Sequence, residues 1–233
     1  MIPSGRLGRV AVATAAAFVV AATAWALLQA VAAPADEHRV GVAGAPAAVS
    51  IEVDQGDVDV GAVPGAADVS ADARVRGIVA PARAAQVVGD EARLSWSCRL
   101  WTTCRADVHV RVPAGVRLRV RTAFGDVRVA GPVGDLDVET GSGEVEARGI
   151  EGASATVRAR SGGAVLAFAR RPRDVDVEVT SGDVEIEVPA GPYAIAVETR
   201  AGDVILEGVR DEDDADGTIT ADTTAGDVVV RGR

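Results

Sequence analysis

The chain has 233 residues, with 24 basic side chains, all Arg, against 34 acidic ones, for a net charge of −10. This balance gives no electrostatic footprint for nucleic acid, and two His with no Lys leave few general bases, Schiff-base formers or zinc ligands. The 40 Val and 26 Gly beside only seven aromatics exclude a disordered chain and suggest many short strands joined by tight turns.

Residues 1–9 read as a cytoplasmic tail and residues 10–33 as a transmembrane helix. The run VAVATAAAFVVAATAWALLQAVAA carries no charge, and its 24 residues would span about 36 Å as a helix, enough for a hydrocarbon core of ~30 Å. Arg6 and Arg9 precede it while Asp36 and Glu37 follow, so the N-terminus is expected in the cytoplasm and the C-terminal domain outside. A cleaved signal peptide is the alternative, with Ala30-Val31-Ala32 as its small-residue site. The stretch is longer than the ~7–15 residues of a signal-peptide core, which favours an uncleaved anchor. Residues 34–47 follow as a linker.

Residues 48–107 read as a first repeat turn and a capping region that contains a disulfide. Cys98 and Cys104 lie in SWSCRLWTTCR between two strand-like segments. In an oxidising compartment so close a pair closes a small loop. A redox or metal pair is the competing reading, but the spacing is not C-x-x-C and no His joins it. Trp96 and Trp101 flank the pair, either packing around the bridge or forming an aromatic tip.

Residues 108–233 are dominated by one repeated phrase: a small residue, Gly, usually an acid, then alternating Val. The turn glycines are Gly56, Gly125, Gly143, Gly162, Gly182, Gly202 and Gly226, the last six spaced by 18, 19, 20, 20 and 24 residues. Apolar or small residues recur seven, five and three positions before each Gly and two and four after it, as in Val175/Val177/Val179 and Val184/Ile186 around Gly182. Period two on both sides of a turn means strand, turn, strand, with one face buried. Stacked repeats bury that face continuously, whereas one repeat alone cannot. VPAG at Val112–Gly115 and Val188–Gly191 marks a second corner. The expected fold is all-β, a single-stranded β-solenoid (β-helix) of stacked ~20-residue turns after one N-terminal helix; an ordinary sandwich is the alternative.

The alternation leading into SGDVxV, with VPAG upstream, resembles the bacterial "putative adhesin" family of β-strand-repeat envelope proteins, a domain of unknown function. The resemblance is strong from about Val108 onward and weak over Val49–Val60. It implies an extracytoplasmic β-solenoid, often membrane-tethered, with adhesion or envelope-stress roles. It implies no catalytic residues, so none is carried over.

The acids after the turn glycines, Asp126, Glu144, Asp183, Asp203 and Asp227, should form a column interrupted at Gly163. A Ca²⁺ ladder or a glycosidase pair would use such a column. The Ca²⁺ nonapeptide repeat is missing, however, and Phe124, Phe168, Tyr193 and the three Trp are the few candidates for sugar platforms. Solvated turn acids are the favoured reading, and no metal or cofactor is expected. An outward column, Arg121, Glu139, Arg158, Glu178, Glu198 and Asp222, turns acidic toward the C-terminus, and the insertion Asp211–Asp216 (DEDDAD) adds to it.

The chain stops just after Val228-Val229-Val230, and Ile205 and Val229 are apolar where earlier turns carry charge. Ile205, Val228, Val229 and Val230 are therefore the expected docking edge, for self-association or a partner strand. The sequence points to a non-enzymatic adhesion, binding or scaffolding module of the cell envelope. Expected contacts are the bilayer through residues 10–33, a protein or cell-wall glycan, and a second copy through the stack ends. The alternatives are an accessory of envelope-stress sensing, a carbohydrate-active β-helix enzyme and a polymerising cytoskeletal β-helix.

Overall fold

The computed structural model describes residues 36–77, 81–98 and 104–233, so the expected tail and membrane segment at 1–35 lie outside the described residues. The described residues form strands and no helix, and none of them supplies a helix long and apolar enough to cross a membrane. In chain order the first ten strands are β1 (Asp36–Val42), β2 (Ala48–Gln55), β3 (Val58–Val63), β4 (Val69–Gly77), β5 (Ala82–Val88), β6 (Glu91–Ser97), β7 (Cys104–Pro113), β8 (Arg117–Phe124), β9 (Val127–Ala130) and β10 (Leu136–Ser142). The rest are β11 (Val145–Ile150), β12 (Ser154–Ser161), β13 (Ala164–Phe168), β14 (Asp174–Ser181), β15 (Val184–Val188), β16 (Gly191–Thr199), β17 (Val204–Glu207), β18 (Val209–Asp211), β19 (Thr218–Ala225) and β20 (Val228–Gly232).

The strands make two ten-stranded sheets. Sheet I runs β1-β4-β7-β3-β9-β11-β13-β15-β20-β17, and sheet II runs β18-β16-β19-β14-β12-β10-β8-β2-β6-β5. Each repeat gives one strand to sheet II, turns at its Gly, and gives the next strand to sheet I. Such a pair is one layer, and layers stack in parallel register: Val138 pairs with Val157, and Val157 with Val177. The alternation sets the burial. In β14–β15, Val175, Val177, Val179, Val184, Ile186 and Val188 are all buried, each worth roughly 1.5–3 kcal/mol once neighbouring layers cover it. The inward faces of both sheets form one apolar cluster.

The expectation of a regular single-stranded solenoid holds only in part. The sheets are mixed, because β1, β4 and β7 pair antiparallel in sheet I and β5 pairs antiparallel with β6 in sheet II. Nor does layer order follow chain order. The first layer, β2–β3, sits between β6–β7 and β8–β9. The last, β19–β20, sits between β14–β15 and β16–β17. At that end the chain steps outward over one layer after β15, then returns inward to fill the slot. The return consumes β18 and the acidic insertion, which is why the last glycine spacing is the longest.

Candidate binding surfaces

The seven turn glycines form one column, and each has a positive φ, from 119° at Gly162 to 153° at Gly202. Gly143 illustrates why no other residue fits. Its φ is +142°, and a Cβ there would stand 2.0 Å from the Gly125 carbonyl oxygen of the adjacent layer. The column follows spatial order, so Gly226 packs over Gly182 and Gly202 over Gly226. It is a structural spine.

The acids that follow hold the same turns together. Oδ1 of Asp57 accepts the Asp126 backbone N–H at 3.0 Å, and Oδ1 of Asp126 accepts that of Glu144 at 3.0 Å. Past Gly163, which has no side chain to continue the series, Asp183 accepts from Asp227 and Asp227 from Asp203, both at 2.9 Å. These carboxylate oxygens thus serve backbone donors. Among the described residues no group of three His, Cys, Asp or Glu is placed to hold a metal ion. Burial pushes the Asp57 carboxyl up, but the Asp126 N–H and the Arg105 guanidinium outweigh it and hold the group below its ordinary value.

Sheet II carries an open groove of about 990 Å³ across β2, β8, β10, β12 and β14. One bank is the outward column, in register as Glu52, Arg121, Glu139, Arg158 and Glu178. Arg121 pairs with Glu139 at 3.2 Å and Glu52 at 4.0 Å; Arg158 pairs with Asp176 at 3.1 Å and Glu178 at 3.8 Å. The trough exists because Ala123 and Gly141, two residues before their turn glycines, lack long side chains in adjacent layers. Gly141 must, since a Cβ there would lie 2.4 Å from the Ala123 carbonyl oxygen. Phe124 stands at the groove with 58% of its surface exposed, whereas Trp96, Phe168 and Tyr193 are core residues. Trp25 and Trp101 lie outside the described residues. The four-before-Gly column was visible in sequence; the trough needed the two-before-Gly positions compared across layers. Beyond it, Asp222 lies between Glu178 and Glu198, which concentrates acid there.

Cys98 and Cys104 are joined in a disulfide with Cα atoms 5.9 Å apart, beside the end of β6 and the start of β7. The expected docking edge needs correction. Val228 and Val230 are 0% exposed because β20 pairs with β15 on one side and β17 on the other. Val229, half-buried on the outer face, shares that interior layer and is no edge. Only Ile205 lies on an end strand, β17, flanked by the exposed Val204 and Leu206. The start of that layer is pinned by Tyr193, whose hydroxyl donates to the Pro189 carbonyl at 2.8 Å and whose ring lies 4.4 Å from the Arg171 guanidinium.

Residues 47–231 match the family described as Toastrack DUF4097. The chain belongs to this family. The resemblance drawn from the SGDVxV repeats was to the same group. No curated relative matches the sequence. Among solved structures it is similar to a "putative cell adhesion protein" from Clostridium sporogenes at 13% identity, covering 85% of this chain and all (100%) of that one, with a TM-score of 0.47. A "putative adhesin" from Bacteroides fragilis shows 11% identity over 84% of this chain and 97% of that one, with a TM-score of 0.45. One from Parabacteroides distasonis shows 14% identity over 85% and 96%, with a TM-score of 0.39.

Proposed function

We propose that this Toastrack chain is a non-enzymatic binding module of the bacterial cell envelope, a single-pass membrane protein anchored through residues 10–33, with its N-terminus in the cytoplasm and its strand stack outside. In this reading the stack works as a flattened β-solenoid, offering one layer position again and again to an extended ligand. The ligand is a cell-wall glycan lying along the groove of sheet II.

The groove carries this reading. Its charged side chains recur at the layer spacing of ~4.8 Å, close to the length of one pyranose unit, and alternate between Arg and carboxylate, so successive sugars meet a donor and an acceptor in turn. Exposed Phe124 supplies a flat apolar face for one ring. A concave surface with a few convergent polar groups is what a ligand site requires. The two carboxylates of a glycosidase would need a free acid and base flanking one bond, whereas Glu139 and Glu178 are engaged by Arg121 and Arg158.

The test is a glycan array probed with the full chain in detergent micelles, followed by calorimetry on the hits. Phe124→Ala should weaken glycan binding by about tenfold. Turnover of a polysaccharide would overturn the non-enzymatic reading, and silence across the array would overturn the glycan.

A further inference from the structure

The two ends of the stack differ in chemistry. At one end the sheets close on the antiparallel strands β1 and β5, which with β6 carry three Arg against three acids. Among the described residues, exposed large apolar side chains there are confined to Val87 and Val88, beside the β5–β6 turn. At the other end lies the β16–β17 layer. Val204, Ile205 and Leu206 are 43%, 39% and 44% exposed along the outermost strand of sheet I, which among the described residues pairs only with β20. In sheet II, β18 covers β16 only at Gly191–Tyr193. Ile195 and Val197 of β16 face the core half-buried, because no layer of the described residues lies beyond them. A flat apolar strand with an unpaired edge is the feature that sheet proteins ordinarily cover.

The charges around this edge say what it accepts. Residues 191–217 hold eight acids (Glu198, Asp203, Glu207, Asp211, Glu212, Asp213, Asp214, Asp216) and two Arg (Arg200, Arg210), a net −6 within the −10 of the whole chain. A second copy presenting the same end would set like charge against like charge, which opposes self-pairing and favours a basic partner. The covered edge of β17 supplies a template for that partner. There β20 lays Val228-Val229-Val230 alongside Val204-Ile205-Leu206, and Nε of Arg231 meets the Glu207 carboxylate at 3.0 Å.

We propose that the open edge of the β16–β17 layer docks an extended strand from another protein, apolar along its length and followed by Arg or Lys, which joins sheet I by β-augmentation. The partner's apolar side chains cover Val204 and Leu206, its backbone takes the unpaired donors and acceptors of β17, and its cation sits on the acidic rim. β1 and β17 are the two ends of sheet I, so nine strand spacings, about 43 Å, separate this edge from the chain's entry at Asp36. If the anchor of the proposed function holds, the docking end faces away from the membrane; the docking itself does not depend on that anchor.

The probe is a synthetic peptide with the sequence of Asp227–Arg233 (DVVVRGR), titrated into the isotope-labelled full chain in detergent micelles and followed by amide shifts. Expected are saturable shifts within residues 195–207 and binding at least about tenfold tighter than that of a control peptide with both Arg replaced by Glu. Leu206→Asp and Glu207→Arg should each weaken it comparably, and sedimentation velocity should show a monomer. Equal binding of the acidic control overturns the proposal, and so does the lack of any binding. Shifts within Val184–Val188 would mean that the peptide exchanges with β20, and a dimer abolished by Leu206→Asp would make the occupant a second copy; either result also overturns it. Both peptides act on the unsubstituted chain, so the outcome stands even if a variant misfolds. Glycan binding at the sheet II groove is read separately, so the two proposals fail independently.

Discussion

The Oδ1 of Asp183 accepts a hydrogen bond at 2.9 Å from the backbone N–H of Asp227, 44 residues later in the chain. The layer carrying Gly202, which lies between them in sequence, is displaced to the outside. The C-terminal strands therefore complete the interior of the stack rather than extend it, and the apolar end is formed by residues 191–207.

Truncation after Gly217 tests this order. Removing β19–β20 deletes the buried Ile219, Ala221, Val228 and Val230 and uncovers β14–β15 on one side and β16–β17 on the other. At roughly 1.5–3 kcal/mol per large apolar side chain the loss approaches the whole stability of a domain. The truncated chain should lose its cooperative thermal transition and elute as aggregate. A stack built in chain order would instead lose one outer layer and keep its transition.

Gly143→Ala should cost roughly 3 kcal/mol or more, because it combines a positive φ with a 2.0 Å approach to a neighbouring carbonyl. Gly41→Ala is the control, since nothing lies within 4 Å of its Cβ position. Its urea midpoint should stay near that of the unsubstituted chain while that of Gly143→Ala falls.

The Asp57 carboxyl, held below its ordinary value, stabilises the fold above the unfolded carboxyl pKa of ~3.9 and loses that contribution as pH falls through the lower folded value. Asp57→Asn keeps an acceptor for the Asp126 N–H but removes the charge facing Arg105. It should lower the melting temperature near neutral pH and flatten the decline below about pH 4, as read from thermal melts across pH.

The disulfide closes a short loop, so replacing Cys98 and Cys104 together with Ser should cost about 2 kcal/mol by the chain-entropy estimate. That corresponds to a drop of about 4–8 °C in Tm for a domain of this size. The strand content seen by circular dichroism should be kept, because both partners sit at strand ends of a layer held by pairing on both sheets.

The groove of sheet II was only half legible. Its charged bank recurs four residues before each turn Gly, so Arg121, Glu139 and Arg158 could be lined up in sequence. Its floor depends on Ala123 and Gly141 being neighbours, although 18 residues separate them. Each alone is an unremarked small residue.

The sequence by itself determined the layer. Valine at period two fixes which face is buried and glycine fixes where the chain turns, because these requirements lie within a few residues of one another. The acid after the glycine, by contrast, finds its backbone donor in the next layer, which only stacking supplies. Only the tertiary structure decided the order of the layers. Parallel layers with the same inward pattern offer nearly equivalent edges, so local pattern cannot tell an adjacent layer from the next but one. Where the chain has residues to spare, as at 208–217, packing makes that choice. It buried Val228 and Val230 and left Ile205 at the end of the stack.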